Sequence, residues 1–66
     1  MRQNDLIEIH QHVLEKLINQ RQKVVQKLAD SKDADTTIKY LGILKNICTE
    51  EIDTRNVLKG LYGKNI

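Results

Sequence analysis

The fold of this chain depends on residues 5–28, which read DLIEIHQHVLEKLINQRQKVVQKL and contain neither glycine nor proline. Aliphatic side chains recur in this stretch at steps of three and four residues, the spacing that brings side chains to one side of an α-helix. They are Leu6, Ile7, Val13, Leu14, Leu17, Ile18, Val24, Val25 and Leu28. The pattern predicts a long amphipathic helix that must bury its apolar side against a partner.

Written as heptads, this helix has an apolar seam with two polar members. Position a takes Ile7, Leu14, Arg21 and Leu28, and position d takes His10, Leu17 and Val24. Aliphatic residues also lie beside the seam, so the stripe is wider than that of a two-stranded coiled coil. We therefore expect neighbouring helices on two sides, as in a bundle.

The size of the chain predicts that it self-associates. At 66 residues it holds one domain at most, and a single core of this size contributes only about 3–5 kcal/mol. Small proteins add disulfides, a metal or oligomerisation. Cys48 is the only cysteine, which excludes an internal disulfide, and no cluster of His and Cys has the spacing of a metal site. Self-association is the remaining form of support.

Composition predicts an all-α protein without strong affinity for polyanions. The chain has no proline, three glycines and two aromatic residues, Tyr40 and Tyr62, whereas strands favour aromatic and β-branched residues between turn signals. Eleven basic and nine acidic side chains leave a net charge of +2. No apolar run is long enough to cross a membrane or to form a signal peptide, so we expect a cytoplasmic protein.

One break divides the sequence into two helices. The segment DSKDAD at residues 30–35 is rich in residues that bond their own backbone and favour turns. We predict a single helical domain, with helix 1 at about residues 5–29, capped by Asp5 or Asn4, a loop at 30–34, and helix 2 at about 35–61, capped by Asp33 or Asp35. The apolar side of helix 2 is predicted to comprise Ala34, Ile38, Leu41, Leu44, Cys48, Ile52, Leu58 and Tyr62, with Tyr40 and Ile47 at its edge.

A second interpretation of helix 2 stays open at this stage. The middle of helix 2, from Thr49 to Asn56, contains several mediocre helix formers. Thr49 can act as a new N-cap, which would break the helix near Cys48 and give a compact three-helix bundle. A continuous helix would instead give an antiparallel hairpin with two arms of similar length.

A hairpin leaves aliphatic side chains in water, and pairing two hairpins into a symmetric four-helix bundle would bury them. We expect the core and dimer interface to be formed by Ile7, Leu14, Leu17, Val24, Leu28, Leu41, Leu44, Cys48 and Leu58. The expected register sets Leu17 opposite Cys48. It also brings His10 close to Glu51 and Arg55, which predicts a polar layer.

Nothing in the sequence predicts catalysis. It has no glycine-rich phosphate loop and no nucleophile motif. His10 and His12 are two residues apart and therefore lie on different sides of a helix, and Cys48 lies among aliphatic residues that favour a packing role. We expect no catalytic residues, no metal and no cofactor.

The leading hypothesis is a dimeric helical hairpin that binds another protein and inhibits or adapts it, a kind of small protein that phages and mobile elements often encode. The alternative is a nucleic-acid-binding regulator that uses Lys16, Lys23, Lys27 and Lys32, the basic part of helix 1 and the loop. A scaffold or oligomerisation module is the third. The expected shape resembles that of the plasmid Rop proteins, helical hairpins that dimerise and bind paired RNA loops. This resemblance concerns architecture and length, and no residue carries over.

Overall fold

The fold is a hairpin of two long helices. The computed structural model describes residues 2–63, with residue 3 described by its backbone alone. Helix α1 spans Gln3–Asp30 and helix α2 spans Ala34–Gly63, and no strand occurs within residues 2–63. The side chain of Gln11 near the start of α1 bonds that of Tyr62 near the end of α2, so the helices run antiparallel. The predicted all-α hairpin is confirmed.

Helix α1 begins two residues before the predicted start. Its N-cap is Arg2, whose backbone carbonyl accepts hydrogen bonds from the amides of Asp5 at 3.1 Å and Leu6 at 3.2 Å. The prediction that Asp5 caps α1 is wrong, because the residue lies inside the first turn and no side chain caps the helix. There its negative charge lies near the positive end of the helix dipole.

Asp33 provides the cap that the sequence predicts for α2. The amide of Thr36 donates to Oδ1 of Asp33 at 2.6 Å, and the Thr36 hydroxyl donates to Oδ2 at 2.9 Å. These two hydrogen bonds lower the pKa of the Asp33 carboxyl from its usual value of 3.8. The hydroxyl groups of Ser31 and Thr37, 2.6 Å apart, join the ends of the two helices. The turn therefore fixes the way in which α2 leaves α1.

The Asp33 cap gives stability a defined pH dependence. Because its folded pKa lies below the unfolded value, the cap stabilises the hairpin above pH 3.8 and stops doing so as the pH falls through the folded pKa. We expect Asp33→Ala to lower the urea midpoint at neutral pH, and the difference from wild type to shrink below pH 3.8. Asp35→Ala is the matched control, because Asp35 lies in the first turn. Equal losses for the two variants would contradict the cap.

Helix α2 continues without a break through residues 49–56, the segment that contains mediocre helix formers. The Thr49 hydroxyl donates to the Lys45 carbonyl at 3.0 Å, and the Thr54 hydroxyl donates to the Glu50 carbonyl at 2.8 Å. Both bonds run four residues back along the helix, so the threonines satisfy their hydroxyl groups without ending it. The alternative of a break at Cys48 and a three-helix bundle is therefore wrong.

Gly42 lies within α2 and weakens it. A methyl group added at this position would meet no other atom within 4 Å, and glycine in a helix interior costs about 0.5–1 kcal/mol relative to alanine. We expect Gly42→Ala to raise the free energy of unfolding by roughly this amount, measured by urea denaturation at fixed protein concentration. A destabilised variant would mean that position 42 packs against another molecule.

The side of α2 that meets α1 differs from the predicted side. The buried residues of α2 are Ile47, Glu51, Thr54 and Leu58. The predicted residues Ile38, Leu41 and Ile52 are 67%, 51% and 57% exposed. Helix α2 carries aliphatic side chains on several sides, so periodicity alone does not identify the side that faces α1. The prediction for this face is therefore correct for Leu58, and for Ile47 at its edge, and wrong for the three large aliphatic side chains that point to water.

The hairpin is a rod rather than a globule. Its extents are 50 × 17 × 14 Å and its radius of gyration is 15.2 Å, whereas a compact domain of this length would have a radius of gyration of about 11 Å. Each helix therefore has one side against its mate and most of its circumference in water.

Candidate interaction surface and buried charge layer

A charged contact joins the two helices in the middle of the seam. Nε of Arg21 lies 3.2 Å from Oε1 of Glu51. Both side chains are long and lean toward the N-terminus of their own helix, so this contact does not place their Cα atoms at the same height. One heptad away in either direction, α1 carries Leu14 and Leu28 and α2 carries Leu44 and Leu58, so the charged contact lies between leucines of the seam.

Glu51 is the most deeply buried residue described, with 2% of its surface exposed. Besides Arg21, it meets the guanidinium of Arg55, which lies 4.0 Å from Oε2 on the same helix. Neither Nε of Arg21 nor Oε1 of Glu51 makes a well-aligned hydrogen bond within residues 2–63. The layer is thus a desolvated charge pair whose hydrogen bonding is incomplete, and such a pair adds little to stability while making other registers costly.

Of the residues predicted to form a polar layer, the structure brings Glu51 and Arg55 together and places His10 elsewhere. Nδ1 of His10 lies 2.7 Å from the Leu6 carbonyl, an acceptor, so the ring donates this bond within its own helix. The cation that faces Glu51 across the seam is Arg21. The expected register, with Leu17 opposite Cys48, sets Arg21 opposite Leu44, whereas Arg21 contacts Glu51, about two helical turns further along α2. This difference explains the wrong partner.

One broad side of the hairpin carries most of the exposed aliphatic residues of α2. Because the side chains of Gln11 and Tyr62 bond each other, the side of α1 that carries Gln11 and the side of α2 that carries Tyr62 face the same way. Helical spacing adds further residues to this flank. We name it the Cys48 face, formed by Ile18 and Val25 of α1 and by Ile38, Leu41, Cys48, Ile52 and Tyr62 of α2. By the same spacing Lys45, Arg55 and Lys59 lie among these α2 residues, so the Cys48 face combines apolar and basic side chains.

The opposite side, which we name the Val13 face, is smaller and mixed. Its apolar residues are Leu6, Ile9 and Val13 of α1 with Ile43 and Val57 of α2. All of them except Ile43 lie toward the open end of the hairpin. Towards the loop this side becomes polar. Both sides of the rod therefore present apolar surface, but the larger area belongs to the Cys48 face.

The lysines of the predicted nucleic-acid surface do not form a uniform basic patch. Lys16, Lys23 and Lys27 lie on the Val13 side of α1 by helical spacing, and Lys32 lies exposed in the turn. Nζ of Lys27 lies 5.7 Å from the centre of the Tyr40 ring, a cation–π distance. Glu50 and Asp53 of α2 lie on the same side and reduce its positive potential.

The structure divides the predicted core and dimer residues into three groups. Ile7, Leu17 and Leu58 are buried, whereas Leu14, Val24, Leu28, Leu44 and Cys48 are half-buried. Leu41 is exposed and so does not belong to the core of the hairpin, because it lies on the Cys48 face. Ile47, Thr54 and Glu51 fill the seam instead, and Cys48 carries a free thiol.

Within residues 2–63 no three His, Cys, Asp or Glu side chains gather as metal ligands. A shallow depression of about 360 Å³ lies against α1, and its lining of Arg21, Gln22, Val25 and Gln26 includes no carboxylate, thiol or imidazole. Across the described residues, neither helix has the length of apolar sequence that a membrane crossing requires.

Fold and surface together define an antiparallel helical hairpin with a buried charge layer and two exposed apolar faces. Comparison of the chain with protein-family models, with curated proteins and with solved structures gives no match. The function must therefore be argued from the surface of the hairpin itself.

Proposed function

We propose that this chain is a non-enzymatic protein-interaction module, a hairpin that pairs with a second copy into a four-helix bundle and binds and regulates another protein. The observation that carries the proposal is its excess surface. The hairpin exposes 5268 Å² at a mass of 7.7 kDa, whereas a folded monomer of this mass exposes roughly 4,300 Å². The excess is close to the roughly 800 Å² that each partner buries in a standard interface.

The distribution of apolar residues supports association. The described part of the chain buries four aliphatic side chains, Ile7, Leu17, Ile47 and Leu58, and exposes nine large apolar ones. Burial contributes about 25 cal/mol per Å² of apolar surface, so a second hairpin can provide the core that one hairpin lacks. The free thiol of Cys48 suits a reducing cytoplasm.

Two faces allow two kinds of contact. A second copy seated on one broad side of the hairpin leaves the opposite side in water, so a dimer presents the remaining apolar surface twice. The larger Cys48 face suits the permanent contact between copies. The smaller Val13 face, with apolar residues beside charged ones, has the mixed character of a regulated interface.

Sedimentation equilibrium at several concentrations tests the pairing. We expect the measured mass to be twice the mass of one chain, and we expect the dimer to dissociate only on strong dilution. A monomer at every concentration would overturn the pairing, and assembly beyond the dimer would favour a scaffold instead.

Co-purification from the native host tests whether the dimer binds another protein. A nuclease-resistant protein partner that is retained by Gln26→Lys and lost by Val13→Lys would support the proposal, because only Val13 lies on the Val13 face. Recovery of RNA or DNA without protein, with loss in Lys23→Glu/Lys27→Glu and a steep salt dependence, would favour the nucleic-acid regulator.

A further inference from the structure

We draw no further inference here: the strongest candidate, the Cys48 face on one broad side of the hairpin, combines apolar and basic side chains, but nothing in the structure shows what covers it or in which orientation.

Discussion

Replacing Ile52 with lysine should weaken dimer formation by about 20-fold to 300-fold. Full burial of an isoleucine side chain contributes about 1.5–3 kcal/mol, and the 57% of Ile52 that the hairpin leaves exposed accounts for about 0.9–1.7 kcal/mol of this. Two-fold symmetry doubles the loss to about 1.7–3.4 kcal/mol, which corresponds to this change in Kd. Ile52 is 57% exposed in the hairpin, so the substitution disturbs the contact between copies and leaves the seam intact. Sedimentation equilibrium measures the Kd.

The matched control is Val57→Lys, an aliphatic-to-lysine change on the Val13 face of the same helix. We expect it to leave the dimer Kd within a few-fold of wild type. Both changes are best made in the Gly42→Ala background, which keeps α2 helical when the dimer dissociates, and far-ultraviolet circular dichroism checks the helix content. Equal weakening by the two lysines would contradict the assignment of the Cys48 face.

The sequence predicted α1 well because that helix has one interpretable apolar stripe. The heptad positions of Leu14, Leu17 and Val24 are those that face α2, and its two polar members, His10 and Arg21, are half-buried in the seam. Helix α2 differs, since it carries aliphatic residues on several sides. Periodicity alone could not choose between its stripes.

The buried charge layer had a signal that the sequence analysis did not use. Arg21 occupies a seam position between Leu14 and Leu28, and a cation in such a place needs an acidic partner at the same level of the neighbouring helix. Pairing Arg21 with Glu51 would have identified the cation that faces this carboxylate and corrected the partner expected for His10. The rotation of α2 was harder to predict, because aliphatic residues lie on several sides of this helix.

Arg21→Leu should destabilise the hairpin by about 2–4 kcal/mol, because it leaves the carboxylate of Glu51 buried without its partner across the seam. The loss stays below the roughly 3–5 kcal/mol of a fully buried pair, since the Arg21 side chain is 38% exposed and Arg55 remains 4.0 Å from the carboxylate. Urea unfolding at fixed protein concentration measures the change. Lys23→Leu, a substitution at an exposed position of the same helix, is the control and should change stability little.

The double variant Arg21→Leu/Glu51→Leu should recover this loss and equal or exceed the stability of wild type. It replaces a desolvated pair that lacks well-aligned hydrogen bonds with aliphatic side chains, which commonly stabilises a buried position. The same change removes the contact that distinguishes one register from another. We therefore expect a more stable hairpin with less uniform pairing, seen as broadened amide signals in nuclear magnetic resonance spectra. A double variant that remains as unstable as Arg21→Leu would mean that Glu51 contributes to the fold through another contact.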